Sequence, residues 1–116
     1  QQRSPIMSFK VLLTADAVRD LEELHQYIIR HDTPGKAEQV LTKIEKIFKS
    51  LSEYPKRGVY PGELSALGIR DYREVFFKPY RLIYRISGDI VYIMLIADGR
   101  RDIQSLLQRR LLEKDI

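Results

Sequence analysis

The chain has 116 residues, a formal net charge of +4 and 44% hydrophobic residues, which is typical of one folded domain with a single core. It contains no cysteine, and this excludes disulfides, thiol nucleophiles and cysteine-based zinc sites. No stretch approaches the roughly 20 apolar residues that a membrane-spanning helix requires, so we expect a cytoplasmic protein with no membrane partner. We interpret residues 1–6, which precede Met7, as a tag remnant or disordered leader, and residues 7–116 as a single domain.

The first half of the sequence predicts a strand followed by two amphipathic helices. The apolar run at residues 9–13 is typical of a strand, and Thr14 then offers a hydroxyl cap to a helix that extends to about His31. Thr33 can cap a second helix, which has a proline in its first turn and ends before Pro55. Because so few residues join the two helices, we expect an antiparallel hairpin.

The second half predicts three strands and a short helix. A loop over residues 56–68 leads to strand candidates at 71–77, 80–87 and 90–97, and a tight turn joins the last two as a hairpin. Both faces of the third candidate are apolar, which is typical of a central strand covered on both sides. Asp102 can cap the final helix. The leucines of this helix either pack on the sheet or form part of a contact surface for a partner protein; they are Leu106, Leu107 and Leu111.

These elements predict an α+β fold. We expect an N-terminal strand and a helical hairpin packed on a small twisted antiparallel sheet, with a short C-terminal helix. The sequence leaves open whether two copies pair through the hairpin to form a homodimer.

Positive charge is concentrated in the second half of the chain. Residues 15–54 contain six basic and eight acidic residues, whereas residues 69–110 contain nine basic and five acidic ones. Eight of those nine basic residues are arginine, whose planar fork of donors fits phosphate or carboxylate. This imbalance predicts that the second half of the chain meets an anionic target.

Arginines recur near the predicted strands, and tyrosines accompany them. Arg81 and Arg85 are four residues apart in one strand and therefore point to the same side. The alternative to a binding role is that these two pair with neighbouring acids, namely Glu74, Asp89 or Asp98, and brace the sheet. We predict one target-binding or phosphate-binding surface, with Tyr80 and Tyr92 nearby, made of Arg73, Arg81, Tyr84, Arg85, Arg100 and Arg101.

Metal and hydrolase chemistry have little support in the sequence. The two histidines, His25 and His31, are six residues apart rather than the three or four that place a metal pair on one helical face. The glycines are scattered and form no phosphate-binding loop, and no serine has a histidine near it in the pattern. We therefore predict no metal and no cofactor.

Two segments carry a resemblance to a known family. Residues 72–86 read Tyr-Arg-Glu-Val-Phe-Phe-Lys-Pro-Tyr-Arg-Leu-Ile-Tyr-Arg-Ile and resemble the middle of RelE/ParE-family toxins. Residues 91–102, which end in Gly-Arg-Arg-Asp, resemble the last strand of those toxins and its exit, and the resemblance covers nearly all of residues 7–112. It implies the fold described above and a cognate antitoxin that holds the toxin inactive. We expect that antitoxin to be acidic and to cover apolar grooves beside the helical hairpin.

The resemblance implies one of two activities. RelE-like members cut messenger RNA in the ribosome, whereas ParE-like members inhibit DNA gyrase. Arg81 and Arg101 match phosphate-contacting arginines of the RelE-like enzymes and would be the catalytic residues of a ribonuclease. Those enzymes also carry a tyrosine or histidine where this chain has Leu107, which cannot transfer a proton. Their basic residues before the second strand have no match either, since residues 62–65 read Gly-Glu-Leu-Ser.

The sequence therefore favours a non-enzymatic, ParE-like inhibitor of DNA gyrase. Two alternatives remain open. One is a ribosome-dependent messenger RNA endonuclease, and the other is a non-toxic binding module in an operon-repressing complex.

Overall fold

A four-stranded sheet organises the computed structural model, which describes residues 8–112 of the chain. The strands are β1 (Lys10–Leu13), β2 (Tyr72–Phe77), β3 (Tyr80–Ser87) and β4 (Ile90–Asp98), and they lie in the order β1-β4-β3-β2. The interpretation of residues 1–6 as a leader concerns residues outside the described part.

The sheet is mixed rather than wholly antiparallel. β2 and β3 are antiparallel, as are β3 and β4, but β1 pairs in parallel with β4. β1 occupies the edge of β4 that the β3–β4 hairpin leaves free, and it runs in the same direction as β4. The prediction that β4 is a central strand is confirmed, since β4 lies between β1 and β3.

Two capped helices follow β1, as the sequence predicts. They are α1 (Ala15–His31) and α2 (Pro34–Glu53). The Thr14 hydroxyl accepts a hydrogen bond from the Ala17 amide at 3.1 Å, and the Thr33 hydroxyl accepts one from the Lys36 amide at 3.0 Å. These bonds satisfy amides that a helix N-terminus otherwise leaves without a partner, so they fix where each helix begins.

The stretch predicted as a loop between α2 and β2 contains more structure than expected. Residues Pro55–Arg57 form a 3₁₀ turn, and Gly62–Ser65 form a short helix, α3. Between these two, Val59 pairs with Glu74 and covers part of the edge of β2. A four-residue helix is too short to show helical periodicity, which explains why the sequence pattern does not reveal it.

The chain ends in a short capped helix, α4 (Ile103–Leu107), followed by a π-helical turn at Gln108–Leu112. The predicted cap is confirmed, because the Asp102 carboxylate accepts hydrogen bonds from the amide and the hydroxyl of Ser105. No helix among residues 8–112 is long and apolar enough to span a membrane.

The apolar residues form two cores, one on each face of the sheet, and β4 contains a β-bulge. Ile83 pairs with Leu95 and Tyr84 with Ile93, so Met94 is an extra residue on β4. The first core lies between the helical hairpin and one face of the sheet, and the second lies between the other face and α3 and α4. Leucines of the C-terminal segment belong to this second core, with Leu106 and Leu107 buried and Leu111 partly buried.

Candidate functional site

Arg81 lies in a network of three charged side chains, which we call the Arg81 triad. Its Nη1 and Nη2 atoms donate to the two carboxylate oxygens of Glu63 at 2.7 and 2.8 Å. Its Nε and Nη2 atoms donate to Oε1 of Glu74 at 2.9 and 2.6 Å. Only 11% of the Arg81 side chain and 5% of the Glu74 side chain are exposed, against 26% for Glu63.

Arg81 is therefore not the exposed, unpaired cation that a member of the predicted target-binding or phosphate-binding surface would be. The alternative of pairing with Glu74 is confirmed for this arginine, and α3 supplies a second carboxylate that the sequence pattern did not suggest. All three guanidinium nitrogens already donate to carboxylate oxygens, so Arg81 has little capacity left for a ligand.

The two carboxylates of the Arg81 triad respond to it in opposite ways. Hydrogen bonds from Arg81 lower the pKa of Glu63. Burial raises the pKa of Glu74, because loss of hydration outweighs its contact with the same arginine. The hydrogen bond to Glu63 is the main reason that the pKa of Arg81 is raised, so this guanidinium stays protonated and cannot act as a base.

Tyr84 is also an interior residue, so the prediction that it lies on a target-binding surface is wrong. Its ring is fully buried in the first core. The hydroxyl donates to the Pro55 carbonyl at 2.6 Å and accepts from the Gly58 amide at 3.0 Å. A Cβ on Gly58 would lie 2.6 Å from that hydroxyl and 2.7 Å from the Glu74 carbonyl, so only glycine fits there. Tyr84 thus fixes the turn after α2 against the sheet.

Arg73 and Arg85 lie near the start of β2 and the end of β3. Arg73 donates to the carbonyls of Lys56 and Gly58 at 3.3 and 2.9 Å and to the Tyr60 hydroxyl at 3.1 Å. The Arg85 guanidinium lies 5.9 Å from the centre of the Tyr92 ring. Neither arginine forms an ion pair with a carboxylate among residues 8–112. The alternative that Arg85 pairs with Glu74, Asp89 or Asp98 is therefore wrong.

Arg100 and Arg101 follow β4 and lie at the surface. Arg100 binds the carboxylate of Asp98 through Nε and Nη2 at 2.9 and 2.5 Å, and it lowers the pKa of Asp98. Its side chain nevertheless remains 81% exposed. Arg101 is exposed and forms no ion pair within the described residues. Both arginines border a depression of about 470 Å³ between α1 and the end of β4, which Tyr27 and Tyr80 also line.

The six predicted residues do not converge on one patch. Arg81 and Arg85 share a face of β3 as expected, but at about 3.3 Å per residue they are about 13 Å apart along the strand. Arg81 pairs in register with Ala97 and Arg85 with Tyr92, towards opposite ends of β4. The predicted arginines other than Arg81 therefore lie on two separate surfaces. The β4-exit surface consists of Tyr80, Asp98, Arg100 and Arg101, and the strand-end surface consists of Lys56, Arg70, Arg73 and Arg85.

A second, partly buried ion pair connects the C-terminal turn to α1. The Asp20 carboxylate accepts from Nη1 and Nη2 of Arg110 at 2.7 and 2.6 Å, and from the Ile96 amide at 2.9 Å. Arg110 also donates to the carbonyl of Met94, at the β-bulge, at 3.1 Å. No sequence pattern indicated this contact, since the two charged residues are 90 positions apart.

The groups beside Arg100 and Arg101 that could transfer a proton are tyrosines and carboxylates that line the same depression, namely Glu23, Tyr27, Tyr80 and Asp98. Leu107 is 2% exposed and packs in the second core. His31 contacts the Tyr27 carbonyl on α1, and His25 lies 3.6 Å from Glu38 of α2. Residues 8–112 contain no cluster of histidine, aspartate and glutamate that could hold a metal ion. The arrangement offers cationic surfaces that can bind an anionic partner.

The fold is that of toxins from toxin–antitoxin systems. A solved structure of the chromosomal ParDE system from P. aeruginosa superposes with a TM-score of 0.65 at 20% identity, and covers 79% of this chain and 97% of that one. The toxin–antitoxin complex RelBE2 from Mycobacterium tuberculosis gives a TM-score of 0.56 at 24% identity, with 83% and 97% covered. These likenesses establish the class of fold.

The family follows from the sequence comparisons. The family model of the ParE toxin of type II toxin–antitoxin systems, parDE, matches residues 11–103. Toxin ParE3 of Caulobacter vibrioides is 28% identical over 101 residues, which is 87% of this chain and 97% of that protein. The chain belongs to the ParE toxin family, which confirms the resemblance seen in the sequence.

Proposed function

We propose that this chain inhibits DNA gyrase by binding it, without cutting RNA, and that a cognate antitoxin holds it inactive in the cytoplasm. Membership of the ParE toxin family supports a toxic role. The solved relatives with this fold are described as toxin–antitoxin systems or complexes, which supports an antitoxin partner.

The ion pairs of Arg81 with Glu63 and Glu74 are the main support for a non-enzymatic action. Cutting RNA requires a group that activates the 2′-hydroxyl, donors for the phosphate and an acid for the leaving oxygen. The donors of Arg81 are occupied by Glu63 and Glu74. Leu107, at the position where RelE-like enzymes hold a tyrosine or histidine, is apolar and buried. Binding a target requires none of these catalytic groups.

The β4-exit surface is the part of the chain that we assign to the target. Arg100 and Arg101 lie just before α4 and project from the sheet. Exposed cations of this kind attract an acidic partner and speed association. Tyr27 of α1 is exposed, lines the same depression and is suited to the antitoxin.

Induction of the chain in cells without an antitoxin tests this proposal. We expect a DNA-damage response and filamentous cells with intact transcripts. Because Arg100 and Arg101 are exposed, Arg100→Ala with Arg101→Ala should reduce toxicity at least about tenfold while changing stability by less than about 0.5 kcal/mol. Colony counts, transcript integrity and thermal melting provide the measurements.

Lys46→Ala with Lys49→Ala is the matched control, since it removes the same charge from the exposed side of α2. This control should retain full toxicity. Rapid transcript cleavage would instead indicate a ribonuclease, and normal growth would indicate a non-toxic binding module. Equal loss of toxicity in both double variants would show that net charge matters and the β4-exit surface does not.

A further inference from the structure

The strand-end surface brings four cations together from three parts of the chain. Lys56 follows α2, Arg70 and Arg73 lie before and within β2, and Arg85 lies near the end of β3. All four line one shallow depression of about 270 Å³. The other lining residues are Asp71 and Ile86, so the depression contains four positive charges and one negative charge.

Within residues 8–112, the cations of the strand-end surface form no ion pair with a carboxylate, whereas four other arginines do. Among residues 8–112, arginine ion pairs engage Arg19, Arg81, Arg100 and Arg110. In the described part of the chain, the arginines of the strand-end surface contact carbonyl oxygens, the Tyr60 hydroxyl and aromatic rings. A surface that holds like charges close together without compensating acids has a positive potential and favours an anionic ligand.

Tyr60 holds two of these guanidiniums in place. Its ring centre lies 4.6 Å from the Arg73 guanidinium and 5.3 Å from that of Arg70. Arg73 is further oriented by its hydrogen bonds to the backbone and to the Tyr60 hydroxyl. The donors of Arg70 and Arg85 stay free for a ligand, since no hydrogen bond within the described residues uses them. This surface therefore needs little ordering when it binds.

We infer that the strand-end surface binds the phosphate backbone of double-stranded DNA directly, without gyrase. A protein partner would require apolar anchors in its contact area, and the depression offers only Ile86. A single strand would bind through stacking of its bases on aromatic rings, but the Tyr60 ring is already covered by two guanidiniums. Closely spaced cations fit a duplex, which carries one negative charge per about 1.7 Å of its axis.

Fluorescence anisotropy with a short labelled DNA duplex and the purified chain tests this inference. Neutralising about four phosphates gives a slope of log affinity against log salt of about −3.6. Arg70→Ala with Arg85→Ala removes two of the four contacts, so the slope should become shallower, at about −1.8. The affinity at low salt should decrease at least about tenfold. Arg73 is left unchanged, because it also positions the turn between α2 and β2.

Lys46→Ala with Lys49→Ala has the same net charge and should bind DNA with an affinity within about twofold of the unchanged chain. Circular dichroism shows whether each variant is folded. The inference is overturned if the chain does not bind the duplex, or if both variants lose the same affinity. It is also overturned if polyglutamate displaces the chain as well as unlabelled DNA does, since an acidic protein would then be the better ligand. Because gyrase is absent, failure here leaves the proposed inhibition of gyrase untouched.

Discussion

Replacing Arg81 by alanine is expected to lower the free energy of unfolding by about 3–5 kcal/mol. The change leaves Glu74, which is 5% exposed, without the guanidinium that satisfies its carboxylate. Glu63 can turn towards water because a quarter of its side chain is exposed, so most of the cost falls on Glu74. Urea unfolding measured by circular dichroism gives the difference directly.

A paired variant separates the buried charge from simple loss of packing. Arg81→Leu with Glu74→Leu removes both buried charges and should be more stable than Arg81→Leu alone. If the double variant is as unstable as the single one, the buried carboxylate is not the cause of the loss. Because Arg81 supports the fold, loss of toxicity in an Arg81 variant gives no information on target binding until the variant is shown to fold.

The penalty of Arg81→Ala should also depend on pH. Loss of Arg81 removes the hydrogen bond and the positive charge that lower the pKa of Glu74, so this pKa is raised further in the variant and ionisation of the buried carboxyl destabilises the variant more as the pH rises. In the unchanged chain the lowered pKa of Glu63 stabilises the fold as the pH rises and Glu63 ionises. The variant lacks this stabilisation, because Arg81 is its main cause. The difference in stability between the variant and the unchanged chain should therefore increase from about pH 4 to pH 7. A difference that is constant over this range would contradict the assignment to Glu74.

Replacing Asp20 by alanine is expected to cost about 2–4 kcal/mol. The Asp20 carboxylate is the shared acceptor for Arg110 and for the Ile96 amide, so its removal leaves the buried amide without its acceptor. Arg110 keeps its hydrogen bond to the Met94 carbonyl and a 3.9 Å contact with Asp16 but loses its close ion pair. The C-terminal turn should also detach more often, because Arg110 connects it to α1. Urea unfolding measures the first effect, and the rate of tryptic cleavage at Arg109 and Arg110 measures the second.

Glu22→Ala is the control for Asp20→Ala. It removes the same charge from an exposed position of the same helix and should change stability by less than about 0.5 kcal/mol. Asp20→Asn should be intermediate, since the amide oxygen can still accept from Ile96 while the ion pair is lost. If Asp20→Ala and Glu22→Ala are equally stable, the contact between α1 and the C-terminal turn contributes little to the fold.

The parts of the fold that depend on local chemistry could be predicted from the sequence. Thr14, Thr33 and Asp102 each cap a helix at the position where the sequence predicts a helix to start. The β3–β4 hairpin was predictable because its two-residue connection includes Gly88, which has a φ of 62°, a conformation that glycine adopts readily. In each case the deciding residues are neighbours in the chain.

The candidate site was less predictable, because its contacts join distant residues. Periodicity correctly assigns Arg81 and Arg85 to one face of β3, but it does not reveal that α3 supplies Glu63 as a partner for Arg81. It also cannot show that residues 56 and 70 meet Arg73 and Arg85 at the end of the sheet. A count of the acids over residues 69–110 omits Glu63, which pairs with Arg81 beside Glu74, and Asp20, which pairs with Arg110.

Purified gyrase and the purified chain test the central claim most directly. In a reaction that supercoils relaxed plasmid, the chain should inhibit gyrase, and the Arg100→Ala with Arg101→Ala variant should inhibit at least about tenfold less. In a parallel translation reaction with programmed ribosomes, the messenger RNA should stay intact. Full gyrase activity together with cleaved messenger RNA would contradict a non-enzymatic toxin that acts on gyrase.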